Sequence, residues 1–420
     1  MLDTSHQEVA TPPKTVDTVL PSGLRFVGER IERSQAVALA IRIPAGAKDD
    51  PPNKFGLANL VKETLFKGTK KRDARKLSDA FDFYGIRHSE YTATETTVMQ
   101  IRFLPEHLVK AIGLLREVLS QPAFPQKECE TAKTQSLQEL KHLEDDPFSK
   151  VAVVLKEIFF GSQWGHSDLG TETSVPEITR GDILNFWQAQ FIPAGSVVAA
   201  AGKFDPDALA KELDTIFAKT SSPAWPVESP PPLPTTHLRK HLPKDSQQTQ
   251  MTLAFPAVPH NHPDYYTLRT AVGVLSGGMS GRLFTEVREK RALVYSVGAH
   301  TVSLRGAGAV YVFAGTTTPR AAETLKVIKT ELARLGDDVT QAEIERAKIA
   351  LKAHLLMDQE STNHRAREMV DDVFFENRIV PLAEVIEKIN RVTVADVKKY
   401  WAEHPWDPYT LVTLGQTELE

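Results

Sequence analysis

A few groups of residues in this chain have the types and spacings that chemistry uses. The stretch "GLANLVKETLFKGT", residues 56–69, reads as the opening turns of an amphipathic helix. It presents Asn59, Lys62 and Glu63 where a metal-binding His pair would be sought. Glu63 and the distant Glu139 of "LQELK" are two carboxylates that could hold a weak, hard cation. The competing reading is a solvated or salt-bridged cluster of these acids with Lys62. In the second half, "LSGGMSGRLFTEVREKRALVYSVGAH" carries Gly277, Gly278 and Gly281 in a loop that runs into a short helix and then a strand. The Walker spacing of a phosphate cradle is absent, so this loop is expected to be a hinge-like connection. Arg288 and Tyr295 follow it, 295 − 288 = 7 positions apart. On spacing alone, Arg288 would pair with Glu286 or Glu289 and Tyr295 would be a half-buried strand residue. "PHNHP" places His260 and His262 two apart in a loop, with no acidic or His partner nearby in sequence.

Composition narrows the classes that remain. The 420 residues are 41% hydrophobic and 25% charged, with a formal net charge of −4, so nothing recruits nucleic acid or an anionic membrane. Peptides and proteins are the expected partners. The single cysteine, Cys129, excludes an intramolecular disulfide and falls in the polar helical run "PQKECETAK", where it is expected to be a plain helix residue rather than a nucleophile. No run of 18 or more apolar residues occurs, and "MLDTSHQEVATPPKTVDTVLPSG" lacks the basic start and apolar core of a leader. A soluble, cytoplasmic protein is expected, or a periplasmic one if a leader has been removed.

Elements that must position these residues come in duplicate. Sliding the chain against itself aligns "TRGDILNFW" with "TVADVKKYW", since 393 − 179 and 401 − 187 both equal 214. Each reads as a helix opened by Thr with Asp three residues on. Pro105 and Pro319 are 319 − 105 = 214 apart, and each opens a helix. The first carries the stripe Leu108, Ile112, Leu115, Leu119 and the second Leu325, Ile328, Leu332, Leu335. "KECETAK" matches "AEIERAK" at 348 − 133 = 215, and the strand-closing Gly202 matches Gly415 at 415 − 202 = 213. Between the repeats, prolines at 223, 226, 230, 231, 232 and 234 favour an extended linker. Alternation at Val37, Leu39, Ile41 and Ile43 predicts a strand beside the paired helices. The fold class expected is α+β: two tandem, similar α/β-sandwich domains at 1–220 and 246–420, joined by a Pro-rich linker over 221–245.

With "IPAGAKDDPPNKFGLANLVKETLFKGTKKRD", "YGIRHSEYTATETTVMQI", "LQELKHLEDDP" and "SGGMSGRLFTEVREKRALVYSVGA" in view, the chain resembles the M16 metallopeptidases. That family includes pitrilysin, insulin-degrading enzyme and the mitochondrial processing peptidase. The resemblance implies tandem domains that form half of a clamshell around a peptide-sized chamber. It also implies a zinc motif H-x-x-E-H on a helix, completed by a distant glutamate. Here the His positions fall on Asn59 and Glu63 and the Glu position on Lys62; only the distant ligand position persists, as Glu139. The motif is degenerate, so no metal is expected in this chain.

The same resemblance assigns roles to the Arg/Tyr pair. It implies that Tyr295 donates its hydroxyl to the oxyanion forming on the scissile carbonyl while Arg288 holds a neighbouring carbonyl of the peptide. Some members divide the site between two chains, one bearing H-x-x-E-H and the other the pair. The expectation is an inactive subunit of a heterodimeric zinc peptidase, with zinc in the H-x-x-E-H partner, peptides as substrates and no activity alone. Two alternatives stay open: a structural or peptide-binding scaffold that does no chemistry, and an enzyme active alone through an atypical metal site at Glu63 and Glu139.

Overall fold

The computed structural model describes residues 14–216 and 228–419. In the first half, strands β1 (Lys14–Val19), β2 (Arg25–Arg30), β3 (Val37–Ile43), β4 (Arg87–Thr92), β5 (Thr97–Phe103) and β6 (Val197–Gly202) make one sheet. Its helices are α1 (Leu57–Leu65), α2 (Ala74–Phe83), α3 (Leu108–Ser120), α4 (Gln126–Asp145), α5 (Pro147–Gly165), α6 (Ser174–Glu177), α7 (Arg180–Gln190) and α8 (Pro206–Leu213). A second sheet is built from β7 (Leu238–Pro243), β8 (Gln248–Ala257), β9 (Val294–Leu304), β10 (Ala307–Thr317) and β11 (Thr410–Gly415). With it go α9 (Tyr265–Ser276), α10 (Ala321–Asp338), α11 (Gln341–Asp358), α12 (Thr362–Glu376), α13 (Leu382–Arg391) and α14 (Val394–Glu403).

The second sheet repeats the strand order of the first from β2 onward, with no counterpart of β1 among the described residues. Their orders are β1-β2-β6-β3-β5-β4 and β7-β11-β8-β10-β9. Among the described residues, the one parallel pair in each is β2 with β6 or β7 with β11. Local signals explain the match: Thr179 with Asp182 and Thr393 with Asp396 form reciprocal capping boxes at the starts of α7 and α14. The indoles inside these helices repeat as well, because Trp187 Nε1 donates to the Leu119 carbonyl at 3.2 Å and Trp401 Nε1 to that of Leu332 at 2.7 Å. Ile112, Leu115 and Leu119 on α3, and Leu325, Ile328, Leu332 and Leu335 on α10, are buried as the stripes required.

Two features depart from the sequence reading. The expected linker is too long at its C-terminal end, because Leu238–Pro243 pair with β11 as β7. This strand is the counterpart of β2, since 238 − 25 = 213. Part of that linker, residues 221–227, lies outside the described residues. The remainder is held down: Glu228 pairs with the buried Lys48 at 2.9 Å, and Leu233 packs on a core cluster. Secondly, β3 is not half-buried in alternation; all of its residues are buried.

The reason is an exchange of helices. Leu39, Ile41 and Ile43 face the first core, while Ala38 and Ala40 lie under Ala366, Met369, Val370 and Val373 of α12, a helix of the second half. Reciprocally, Val151, Leu155, Phe159 and Phe160 of α5 cover Ala254, Ala309, Tyr311 and Val412 of the second sheet. The helices start 362 − 147 = 215 residues apart, so the exchange obeys the repeat. Small residues under α12 let the helix approach the sheet closely. Arg365 of α12 pins the contact through a buried ion pair with Glu29 of β2, and Arg42 of β3 pairs with Asp371.

Candidate functional site

Helix α1 is fixed from its N-terminal end. The buried Asp50 accepts hydrogen bonds from the backbone N–H groups of Gly56 and Ala58, both at 2.7 Å. His166 Nε2 lies 3.3 Å from the same carboxylate, and its ring stacks on Phe55 at 3.9 Å. Gly56 turns the chain with φ 98°, where a Cβ would meet the Leu169 carbonyl oxygen at 2.8 Å. Leu57, Leu60, Val61 and Leu65 then bury one face of the helix in the first core.

The opposite face carries Asn59, Lys62 and Glu63. Asn59 is 3% exposed, and its side-chain amide reaches Ser136 Oγ of α4 at 3.4 Å, so it joins two helices. Lys62 makes an ion pair with the adjacent Glu63. Glu139 is exposed on α4. A cation at Lys62 and an amide spent on packing do not make the three-ligand set that zinc needs. Among the described residues, no cluster of His, Cys, Asp or Glu is placed to hold a metal ion. Cys129 is buried, its Sγ 3.7 Å from the Phe124 carbonyl, and burial pushes its thiol up, away from nucleophilic use.

Around Arg288 and Tyr295 the backbone is irregular three times in succession. Residues Phe284–Glu289 form a turn of π-helix, closed by a hydrogen bond from Lys290 N–H to the Thr285 carbonyl at 2.9 Å. Ala292 takes the left-handed conformation at φ 49°. Then β9 bulges: Val294 pairs with Thr316 and Ser296 with Gly315, leaving Tyr295 as the additional residue. Such bulges re-aim side chains, and π turns recur at functional sites. Side chains lock the connection, because Arg320 donates to the Ala292 carbonyl and Thr316 Oγ1 to that of Leu293 at 2.5 Å. Upstream, the buried Arg282 donates to Glu343 at 2.7 and 2.9 Å and to Asp338 at 2.6 Å.

Two side chains carried by this segment, those of Arg288 and Tyr295, are exposed. Tyr295 is 64% exposed, not half-buried, although Val294 beside it is in the core. Glu286 is taken by Lys290 and Arg291, each at 2.7 Å, so the expected pairing with Arg288 does not form. The Arg288 guanidinium lies over the Phe284 ring, 5.0 Å from its centroid, and has no ion-pair partner among the described residues. A phenol and a guanidinium on a braced backbone are donors ready for carbonyl oxygens. The segment leading there, Gly277 to Gly281, is a turn rather than a helix or strand.

Sequence reasoning missed several positioning residues. Asp50 and His166 are 116 residues apart and meet only in the fold, although an aspartate shortly before a helix start was a usable capping signal. His260 does have an acidic partner: Glu376 of α12 lies 3.2 Å away, and Phe375 stacks on its ring.

Comparison with known proteins covers the chain in two consecutive family matches. A family model described as Insulinase (Peptidase family M16) matches residues 25–172, and one described as Peptidase M16 inactive domain matches residues 177–351. An uncharacterized zinc protease of Rickettsia bellii is 27% identical over 380 residues, spanning 90% of this chain and 92% of the relative. The zinc protease YmxG of Bacillus subtilis is also 27% identical over 380 residues, with the same coverage. In fold, the chain is similar to a peptidase M16 inactive domain from Pseudomonas fluorescens, with TM-score 0.88 and 22% identity over 97% of this chain and 99% of the other. A protease from Helicobacter pylori gives TM-score 0.86 at 20% identity, covering 96% of this chain and all of that one, 100%. No helix among the described residues is long and apolar enough to cross a membrane. By both family matches, this chain belongs to the M16 peptidase family.

Proposed function

We propose that this chain is the non-catalytic subunit of a heterodimeric M16 zinc peptidase, in which the H-x-x-E-H subunit holds the metal and this chain supplies Arg288 and Tyr295. The observation that carries the reading is the contrast within one molecule. On α1, Lys62 pairs with Glu63 and Asn59 reaches Ser136, whereas Arg288 and Tyr295 are exposed and have no ion pair among the described residues, on a braced, irregular backbone. The Tyr295 hydroxyl donates to the oxygen on which negative charge develops as the scissile carbonyl is attacked. Arg288 donates to a neighbouring peptide carbonyl and fixes the register. Substrate is an extended peptide, bound by main-chain hydrogen bonds at a sheet edge. The relatives' zinc-protease names support the reaction class, and the rewritten α1 face supports assigning the metal to the partner.

The test is reconstitution. The purified chain is mixed with an H-x-x-E-H homologue from the same source, and cleavage of a quenched fluorescent peptide is followed. Activity is expected in the mixture and in neither component alone. Cleavage by the isolated chain that is lost in Glu139→Gln would contradict the proposal and favour an atypical metal site.

A further inference from the structure

We infer that Thr316 and Arg320 are positioning residues for Tyr295: they hold the carbonyls of the two residues that join the Arg288 turn to the bulge, and so set the direction in which the phenol leaves β9. The inference rests on the proposed function, since it concerns how Tyr295 is delivered to the reaction. The connection is gripped at Ala292 and Leu293, from both sides. Their N–H groups reach back, Ala292 to the Arg288 carbonyl at 2.9 Å and Leu293 to that of Val287 at 3.0 Å. Their carbonyls are taken by side chains: Arg320 donates to Ala292, and Thr316 Oγ1 to Leu293 at 2.5 Å. These four hydrogen bonds couple the turn that carries Arg288 to the strand that carries Tyr295.

Thr316 stands directly opposite the irregularity. It pairs with Val294 and Gly315 pairs with Ser296, so Tyr295 lies between the two pairs. A slip of β9 by one residue would turn the tyrosine to the other face of the sheet, so its aim depends on what fixes the strand just before it. Thr316 is fully buried and β-branched, which leaves its hydroxyl few directions to point. Thr324, also fully buried, brings a second hydroxyl to 3.3 Å from that of Thr316 and to 2.9 Å from the Arg320 carbonyl. Both grips are thereby tied to the first turn of α10. The turn Thr318–Arg320 is fastened in its own right, with Thr318 N–H donating to the Gln247 carbonyl at 3.0 Å. Tyr295 is thus exposed at its ring and over-determined at its backbone, an arrangement that suits a group which must point one way before substrate arrives.

The test uses the full chain reconstituted with the H-x-x-E-H subunit. Thr316→Val removes the hydroxyl at nearly constant volume, Thr316→Ser keeps it, and Arg320→Ala alters an exposed position, so a folding defect in the first leaves the last to decide. Thr316→Val and Arg320→Ala are each expected to lower kcat about tenfold with KM within about twofold, and Thr316→Ser to keep kcat within about twofold of the unaltered chain. Once Tyr295→Phe is present, neither is expected to lower kcat further, because both act through that side chain. The same loss in the Tyr295→Phe background, or full kcat in both variants while Tyr295→Phe is slow, overturns the inference. A second readout needs no partner subunit. In the isolated chain labelled with fluorotyrosine, the fluorine NMR signal that disappears in Tyr295→Phe is expected to shift in Thr316→Val and in Arg320→Ala and to return in Thr316→Ser. A signal that stays in place in both variants also overturns the inference. Unchanged kcat in Tyr295→Phe itself counts against the proposed function instead, and the NMR signal then decides whether Thr316 and Arg320 aim the residue.

Discussion

Helix α1 and the segment from Phe284 to Tyr295 occupy matching halves of a duplicated fold, yet they have kept opposite things. In α1 the apolar face is packed, with Leu60 and Leu65 fully buried, while on the polar face Lys62 pairs with Glu63 and Asn59 reaches Ser136. In the second segment the chemistry-bearing residues are free, and the backbone departs from regular geometry to present them. Packing and chemistry are thus separable in this fold. Helix α1 is held by its apolar face, and the second segment is held by Val287, Leu293 and Val294 in the core while Arg288 and Tyr295 stay exposed.

That comparison can be broken from several sides. The largest expected effect is on stability: Leu60→Ala removes a fully buried side chain and is expected to cost ~2–5 kcal/mol in denaturant unfolding. A loss below ~1 kcal/mol would mean that α1 is not held by its apolar face. A middle-sized effect comes from the exchanged helix α12. Burial pushes the Asp372 carboxyl up to about 7, with Glu368 and Glu376 adding to the rise and Val380 N–H and Arg365 opposing it. Because the folded carboxyl holds its proton where the unfolded one, near 3.9, has lost it, stability falls as pH rises from ~4 through ~7 and is then level. Asp372→Asn is expected to flatten that slope and to add on the order of 2 kcal/mol at pH 8. An unchanged slope would show that α12 carries no buried acid. Smallest of all, Lys62→Ala is expected to change stability by less than ~1 kcal/mol, since the Lys62–Glu63 pair is partly exposed. A larger loss would mean that the ion pair, rather than the core, retains the helix.

Much of this was legible in sequence where the signal was local. The Thr–Asp capping boxes, the proline-opened helices and the glycine-closed strands repeat at nearly one offset because each is set by residues a few positions apart. Reading failed where the determinant was distant. The alternation of β3 says that one face is buried, but nothing within it says that α12, more than 300 residues later, covers Ala38 and Ala40. Strand β7, with the sequence LRKHLP, reads as linker because it is an edge strand with exposed charges and a terminal proline, and only its pairing with β11 makes it a strand. At the candidate site, the helix that carries Asn59, Lys62 and Glu63 was readable from its amphipathic pattern. The freedom of Arg288 was not, because Glu286 is claimed by Lys290 and Arg291, all within a few residues that offered several pairings.

The central claim is that Tyr295 acts on the reaction at a partner's metal. It is tested most directly by comparing Tyr295→Phe with the unaltered chain in the reconstituted heterodimer, measuring kcat and KM separately and checking the complex by size-exclusion chromatography. Loss of one oxyanion donor is expected to lower kcat by a factor on the order of a hundred, with KM little changed and the heterodimer intact. An unchanged kcat in an intact heterodimer would contradict the account and leave the chain as a scaffold.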